Sequence, residues 1–326
     1  MKKVVILVLW FWVMICFAEN LPEIEYEKLN FGEDETLEIM TWNIQNFPKS
    51  DATVDYVTKI IIAIDADVIG LQEIQKDSAF VLLLKNLNQK SSENIWNGFR
   101  ADTDKWEMNL AYIYKANVTD SVNVYEIYAD DSKYHSPFPR KPLVLEFSYS
   151  NEKFYIINNH YKARSGEKNL KRRQKASELL DKYIEENLSE ENVIILGDLN
   201  DQLIDEKQKN AFTVFLENDE NYKFVDFKIA EDEDADWSYP YWKYRGHLDH
   251  ILISNELFDE FKASKSAIKV ITIDKFMEGN GDARYKYITD HRPVALKLYF
   301  PLMLNENSSK KNEGEKFLPQ NIIPEK

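Results

Sequence analysis

Apolar and polar positions follow two rhythms along this chain, an alternation of two and a recurrence of three to four. Leu37 to Asn43 (LEIMTWN) alternates and predicts a strand. Ile44 to Ser50, with Pro48, then reads as a loop. From Asp51 onward Val54, Val57, Ile61 and Ile64 share one helical face. Asp67 to Leu71 predicts a strand ending in Gln72-Glu73, and Ser78 to Leu87 a second helix. Asn109 to Tyr114, Val122 to Tyr128, Leu143 to Tyr149 and Phe154 to Asn158 are strand-like, the last running into Asn159-His160. Asn169 to Ile184 predicts a helix with Ala176, Leu179, Leu180 and Tyr183 inward. Val193 to Leu196 leads into Gly197-Asp198, Asp205 to Leu216 reads as helix, and Ile251 to Ile253, Ala267 to Ile273 and Val294 to Tyr299 complete the strands. No Gly-, Ser- or Pro-rich linker and no repeat divides residues 37–302, which are expected to form one domain. Helices interleave with strands, and several neighbouring strands look like hairpins. That order favours an α/β sandwich of the α+β type, with mixed sheets, over a doubly wound parallel sheet.

The flanks have other patterns. Lys2 and Lys3 precede an apolar run of 14 residues, Val4 to Phe17, followed by Ala18 and Glu19. The run falls short of the about 20 residues of a membrane span. Residues 1–18 are therefore expected to be a secretory signal peptide, and the protein to be secreted or periplasmic. A lipoprotein signal at Cys16 ranks lower, because Ile15 is too bulky before it. Cys16 is the only cysteine, so the rest of the chain has no disulfide. Residues 19–36 read as an acidic arm and 303–326 as a disordered tail by composition.

Charge changes the picture in one respect. The formal net charge is −15, which argues against a protein that coats nucleic acid with a basic face. It leaves room for an enzyme with a local basic patch. The densest one is Lys162, Arg164, Lys168, Lys171, Arg172 and Arg173, either a solvated helix start or a track for phosphates. Trp237 to Tyr244 (WSYPYWKY) is rich in aromatics. It reads as a loop anchor, a base-stacking surface or a membrane-docking loop. Glu231 to Asp236 (EDEDAD) just upstream reads as a solvated loop, with a weak Ca²⁺ site as the alternative.

The candidate chemistry sits at strand ends. ILGDLND (Ile195 to Asp201) and ITDHRPV (Ile288 to Val294) each join a buried strand to a polar tip. Trp42-Asn43, Leu71-Gln72-Glu73, Pro139-Arg140-Lys141-Pro142, Asn158-Asn159-His160 and His247-Leu248-Asp249-His250 add five more such ends. Singly, each has a plain structural explanation: a loop cap, a solvated strand end, a hydrogen-bonded histidine, a turn. Together, carboxylates, amides and imidazoles on strand ends suit phosphate chemistry with a divalent metal. Mg²⁺ takes oxygen ligands and needs only one or two carboxylates from the protein.

These residues, in this order, resemble the endonuclease/exonuclease/phosphatase superfamily with its deoxyribonuclease I-like fold. The matching pieces are TWNIQNF, DVIGLQEI, the Arg140 stretch, NNHYKARSG, ILGDLND, LDHILIS and TDHRPV. The resemblance implies a four-layer α/β sandwich of two packed mixed sheets flanked by helices. It places Asn43, Glu73 and Asp290 on the metal side, with Glu73 the principal Mg²⁺ ligand. Asp198 and Asn200 would orient the attacking water and contact the phosphate, His160 and His291 would flank it, Asp249 would hold the ring of His291, and Arg140 would grip phosphate. Lys162 and Arg164 are the added candidates for substrate phosphates. The carboxylate that supports the first histidine in some relatives falls at Glu107 or Asn109, between which the sequence does not choose.

The expectation is a secreted phosphodiesterase using Mg²⁺, with Mn²⁺ as substitute and Ca²⁺ as a structural alternative. The expected substrate is DNA, with RNA second, cut by a monomer with no stable protein partner; membrane contact is disfavoured but stays open. A sphingomyelinase-type phospholipase C, or a lipid or sugar phosphatase, is the alternative. A binding protein with dead chemistry is disfavoured by the intact site set. Either Asp198 or His291, paired with Asp249, would take the proton.

Overall fold

The computed structural model describes residues 21–103, 108–129, 131–241 and 243–300. The expected signal peptide and tail lie outside them, as do Glu107 and Trp242.

Two six-stranded sheets pack face to face. The strands are β1 (Thr36–Phe47), β2 (Val68–Ile74), β3 (Trp96–Arg100), β4 (Asn109–Lys115), β5 (Asp120–Glu126), β6 (Leu143–Tyr149), β7 (Glu152–His160), β8 (Asn192–Asp198), β9 (Tyr222–Phe224), β10 (Asp249–Ser254), β11 (Ala267–Val270) and β12 (Val294–Tyr299). One sheet runs β11-β12-β1-β2-β4-β3, the other β5-β6-β7-β8-β10-β9. Each has one parallel pair near its centre, β1 with β2 and β7 with β8. Parallel neighbours need a long crossover. Helix α1 (Thr53–Ile64) makes the first and α3 (Glu167–Asn187) the second. With α2 (Asp77–Lys90) beside α1, helices cover both outer faces. This is the four-layer sandwich of two mixed sheets.

Alternation explains the layers. Leu37 and Ile39 of β1 enter the core between the sheets, together with Ile194 and Leu196 of β8. Met40 and Trp42 point the other way, onto α1. Val193 and Ile195 face α3. Strands buried on both faces carry near-continuous apolar runs. Gly70 lets the sheets close, since a Cβ there would lie 2.5 Å from Leu196 Cδ1. A polar bridge crosses the same interface, where Gln72 Nε2 donates to Asn158 Oδ1 at 2.8 Å.

Several elements differ from expectation. β1 continues to Phe47, through residues expected as loop. Asp205 to Leu216 is not one helix. It holds a 3-10 turn (Lys207–Lys209) and a single helical turn (Thr213–Leu216), because Asn210 turns its side chain onto the backbone at Leu203 and Phe212. Ala267 to Ile273 is a strand only to Val270. Strands β3 and β9 and the helix Asn280–Tyr287 were not foreseen. The acidic arm packs onto the domain: Leu29 and Phe31 are buried beside Ile64 and Ile61 of α1, and Ile24 bridges to Met277.

Candidate active site

Period two places the site. Residues 37, 39, 41 and 43 of β1 share the face between the sheets. The same holds for 194, 196 and 198 of β8, for 154, 156, 158 and 160 of β7, and for 249, 251 and 253 of β10. The apolar members form the inter-sheet core. The last or first members are Asn43, Asp198, His160 and Asp249, so one end of that core is polar. Register agrees: His160 sits opposite Asp198, and Asp198 opposite Asp249. Gly197 makes this possible at φ +143°, where a Cβ would lie 1.9 Å from Asn159 O.

Asp198 is central and almost fully buried. Its Oδ2 accepts from Asn43 Nδ2 at 3.0 Å and lies 3.5 Å from His160 Nε2 and 3.8 Å from His291 Nε2. Its Oδ1 accepts from Asn200 N at 3.2 Å. Burial, with the Asp249 and Glu73 charges, pushes its carboxyl up to about 7 against the pull of His291 and Asn43. Glu73 joins through Asn43 Nδ2, 3.2 Å from its Oε1, and its other oxygen accepts from Asn46 N at 3.0 Å. Glu73, Gln45, Asn46 and Asn200 all hold positive φ. Left-handed backbone outside glycine is costly and gathers at functional sites.

His291 closes the far side. Its Nδ1 donates to Asp249 Oδ2 at 2.7 Å. Burial alone would lower its pKa, but the Asp249 and Asp198 charges and that hydrogen bond hold it at about 10. It is therefore an imidazolium at neutral pH. Asp249 N donates to Ser238 Oγ at 3.0 Å, and the Tyr239 ring lies 4.9 Å from the His291 ring. Asp290 Oδ1 is 3.9 Å from His291 Nε2, and Asp290 Oδ2 accepts from Gln45 Nε2 at 2.7 Å. His160 is the opposite case. Burial, then the positive charges of Arg140, His291 and Lys162, drive it well below the usual imidazole value, so it is neutral. Its Nδ1 has no hydrogen-bond partner among the described residues.

The phosphate candidates gather on the His160 side. Arg140 and Lys162 both act on His160 through their charge. Asn200 Nδ2 donates to Tyr161 O at 3.3 Å, and Arg164 is exposed at the next turn. Arg173 leaves the basic track. It is buried, pairs with Asp201 at 2.9 Å and donates to the carbonyls of Lys162 and Arg164, so it pins the loop that carries them. The aromatic stretch divides in two. Trp237 and Ser238 are buried anchors, whereas Tyr241 and Tyr244 are exposed and stacked at 6.3 Å. In the acidic run, Asp236 pairs with Lys275 and Arg292, which takes it out of any Ca²⁺ cage.

A family model for the endonuclease/exonuclease/phosphatase family matches residues 40–291. The chain belongs to the endonuclease/exonuclease/phosphatase family. Solved structures agree on the fold. TDP2 of D. rerio, in a complex with a single-strand DNA product, is 17% identical at TM-score 0.60, over 82% of this chain and 100% of that one. The catalytic domain of human Nocturnin with bound sulfate is 18% identical at TM-score 0.55, over 83% and 96%. An endonuclease/exonuclease/phosphatase protein of Bacteroides vulgatus is 14% identical at TM-score 0.58, over 81% and 99%. No curated protein matches the chain.

Enzymes of the endonuclease/exonuclease/phosphatase family are hydrolases of phosphoester bonds that typically use divalent metals, and the donors here fit such an ion. Glu73, Asp198 and Asp290 supply carboxylate oxygens and Asn43 an amide, the hard set that Mg²⁺ takes. With Asp249 they crowd negative charge around one imidazolium, which is why burial and neighbouring carboxylates lift Asp198. Asp198, Asp249 and His291 also lie close enough to share an ion. There, however, His291 Nδ1 already donates to Asp249, so the pair reads as a hydrogen-bonded acid.

A second buried cluster, Asp226, His247 and His250, has a structural role. His250 Nδ1 donates to Asp226 Oδ2 at 2.6 Å and its Nε2 to Asp201 O at 2.9 Å. A carbonyl accepts only, so both ring nitrogens carry protons and neither can ligate a metal. His247 Nδ1 accepts from Ser238 N at 3.2 Å, and its Nε2 donates to Asp226 at 2.9 Å. The cluster thus ties the Asn200-Asp201 turn to the Ser238 segment. Asp226→Asn leaves the His250 charge buried and unpaired. Urea unfolding is expected to show a loss of about 3–5 kcal/mol.

The site also sets the sign of pH-dependent stability. His291, held at about 10, and His250, also raised by Asp226 despite burial, stabilise fully below the unfolded value of about 6.5. That contribution is lost as pH rises through their folded values. Asp198, raised to about 7, acts in the same direction between the ordinary carboxylate range and neutrality. Asp226, lowered by the two histidines despite burial, opposes them only at acid pH. In chelator-containing buffer the urea midpoint is expected to fall from about pH 6 to about pH 10, and to fall less in Asp249→Asn.

Sequence reading missed the site roles of Gln45, Ser238 and Tyr239, and Asp226 as the partner of His247 and His250. Gln45 lies two residues past Asn43, a weak signal. Asp226 follows an unforeseen strand and gave none.

Proposed function

We propose that this chain is an exported, Mg²⁺-dependent phosphodiesterase acting on nucleic acid, DNA first and RNA second. The observation that carries the reading is the convergence of Asn43, Glu73, His160, Asp198, Asp249, Asp290 and His291 at one end of the inter-sheet core. A divalent cation held by Glu73, Asp290 and Asn43 would neutralise phosphate charge and polarise the P–O bond, and Mn²⁺ suits the same donors.

The chain's own residues do the rest. Arg140, Lys162 and Arg164 attract the phosphate, and the Asn200 amide donates to it. Asp198, poised near neutrality, orients a water and takes its proton. His291 is already protonated, so it serves as hydrogen-bond donor and acid, with Asp249 fixing its ring. Neutral His160 presents its ring to the same phosphate from the other side. The export part of the reading rests on residues 1–18.

The nucleic-acid substrate is favoured by the cations beside His160 and by the tyrosines that step outward from Tyr239, packed on His291, to the exposed Tyr241 and Tyr244. TDP2 of D. rerio, on the same fold, holds a DNA product. Plasmid DNA, RNA and sphingomyelin, each with Mg²⁺ and with chelator, separate the readings. Metal-dependent nicking that vanishes in His160→Ala supports the proposal. Sphingomyelin turnover without nicking replaces it with the phospholipase reading.

A further inference from the structure

Among the described residues, four cations that run away from His160 have no carboxylate partner. Lys162, Arg164, Lys168 and Arg172 make no ion pair among the described residues, in a chain with 56 acidic residues against 41 Lys and Arg. Arg172 Nε is instead fixed on Ser136 O at 2.6 Å. Burial and like charge act on the same groups: Lys162 is lowered by desolvation and then by Arg172, Arg140, Arg164 and Arg173, and Arg172 by desolvation and Arg140. Mutual repulsion of this kind is relieved by a bound anion.

Beyond Arg172 the surface opens into a cavity of about 620 Å³ between α3 and the turn at residues 132–137. That lies within the about 300–1,000 Å³ typical of small-ligand sites. Lys168, Lys171, Arg172 and Lys175 stand at helical spacings of three and four, so one face of α3 lines the cavity. Tyr134, Pro137 and Leu179 give it an apolar wall. Lys171 and Lys175 have exposed partners in Glu167 and Glu178, and such pairs hold weakly. An apolar wall with a cationic rim matches a nucleotide: ring and sugar on the wall, phosphate on the rim.

We propose that this cavity is a second nucleotide subsite. It would receive the substrate strand after it passes Arg140 and Lys162, and Lys168 and Arg172 would take its phosphate. The proposal rests on the phosphodiesterase reading of the neighbouring site. It places the selection of polymer over single esters on α3, apart from the reacting groups.

The test compares the full-length wild type with Lys168→Glu and Arg172→Ala. Lys168 is exposed, and its side chain has no hydrogen bond or ion pair among the described residues, so its variant remains informative if Arg172→Ala unfolds. Binding of a fluorescein-labelled thymidine 12-mer is read by anisotropy in chelator, and hydrolysis of thymidine 5′-(4-nitrophenyl) phosphate is read with Mg²⁺. The wild type is expected to bind the 12-mer. Each variant is expected to bind about tenfold more weakly, with a salt slope smaller by about 0.7 per lost contact, and to hydrolyse the small ester at the wild-type rate. Unchanged 12-mer affinity in both variants, or tighter wild-type binding to phosphatidylglycerol vesicles than to the 12-mer, overturns the subsite. Weakened binding with no ester hydrolysis by the wild type keeps the subsite and overturns the reading of the active site.

Discussion

Asp198→Asn is expected to lower kcat for phosphodiester hydrolysis by about 10²–10⁴-fold, the range for a lost proton-transfer group, with the fold retained. Asn has the same shape, and its Oδ1 can still accept from Asn200 N, as Asp198 Oδ1 does at 3.2 Å. The variant also removes one of the two main charges that hold His291 at about 10. The alkaline limb of the pH–rate profile is therefore expected to move down, since the imidazolium loses stabilisation when Asp198 is neutral. A merely structural residue would change the rate without moving that limb. Near-wild-type kcat in Asp198→Asn removes the proposed base.

Glu73→Gln is the second large effect. Glu73 stands at the end of β2 with positive φ, and its oxygens face Asn43 and the Asn46 amide. Neither contact neutralises its charge. The attraction of a unit charge pair at about 4 Å in an effective dielectric of about 20 is about 4 kcal/mol. Replacing the carboxylate with an amide of the same size is expected to weaken Mg²⁺ binding by roughly 10²-fold or more, read by calorimetry and by the Mg²⁺ dependence of turnover. High Mg²⁺ is expected to restore part of the rate. An unchanged Mg²⁺ midpoint places the ion elsewhere.

The fold and the site were legible to different depths. Strands buried on both faces, such as Val193 to Leu196, announce themselves by apolar runs. The end residues Asn43, His160, Asp198 and Asp249 follow from alternation once the inter-sheet face is known. Strands β3 and β9 were invisible at their sheet edges: β3 exposes Asn97 and Phe99, which blurs its alternation, and β9 has only three residues, too few to carry a pattern. The stretch 205–216 deceived because helix-compatible composition was overruled by the Asn210 side chain. Arg173 looked like part of a basic surface, and only tertiary contacts show it buried on Asp201. Protonation was beyond the sequence altogether. His160 and His291 flank the same carboxylate, yet burial and charge send one down and the other up.

The most direct measurement is release of nitrophenol from bis(4-nitrophenyl) phosphate by the purified full-length protein, followed across a Mg²⁺ titration and then in excess chelator. Saturable release that chelator abolishes, and that Asp198→Asn lacks, is the result expected. Release that ignores chelator, or persists at full rate in Asp198→Asn, would contradict a metal-assisted phosphodiesterase built on this cluster.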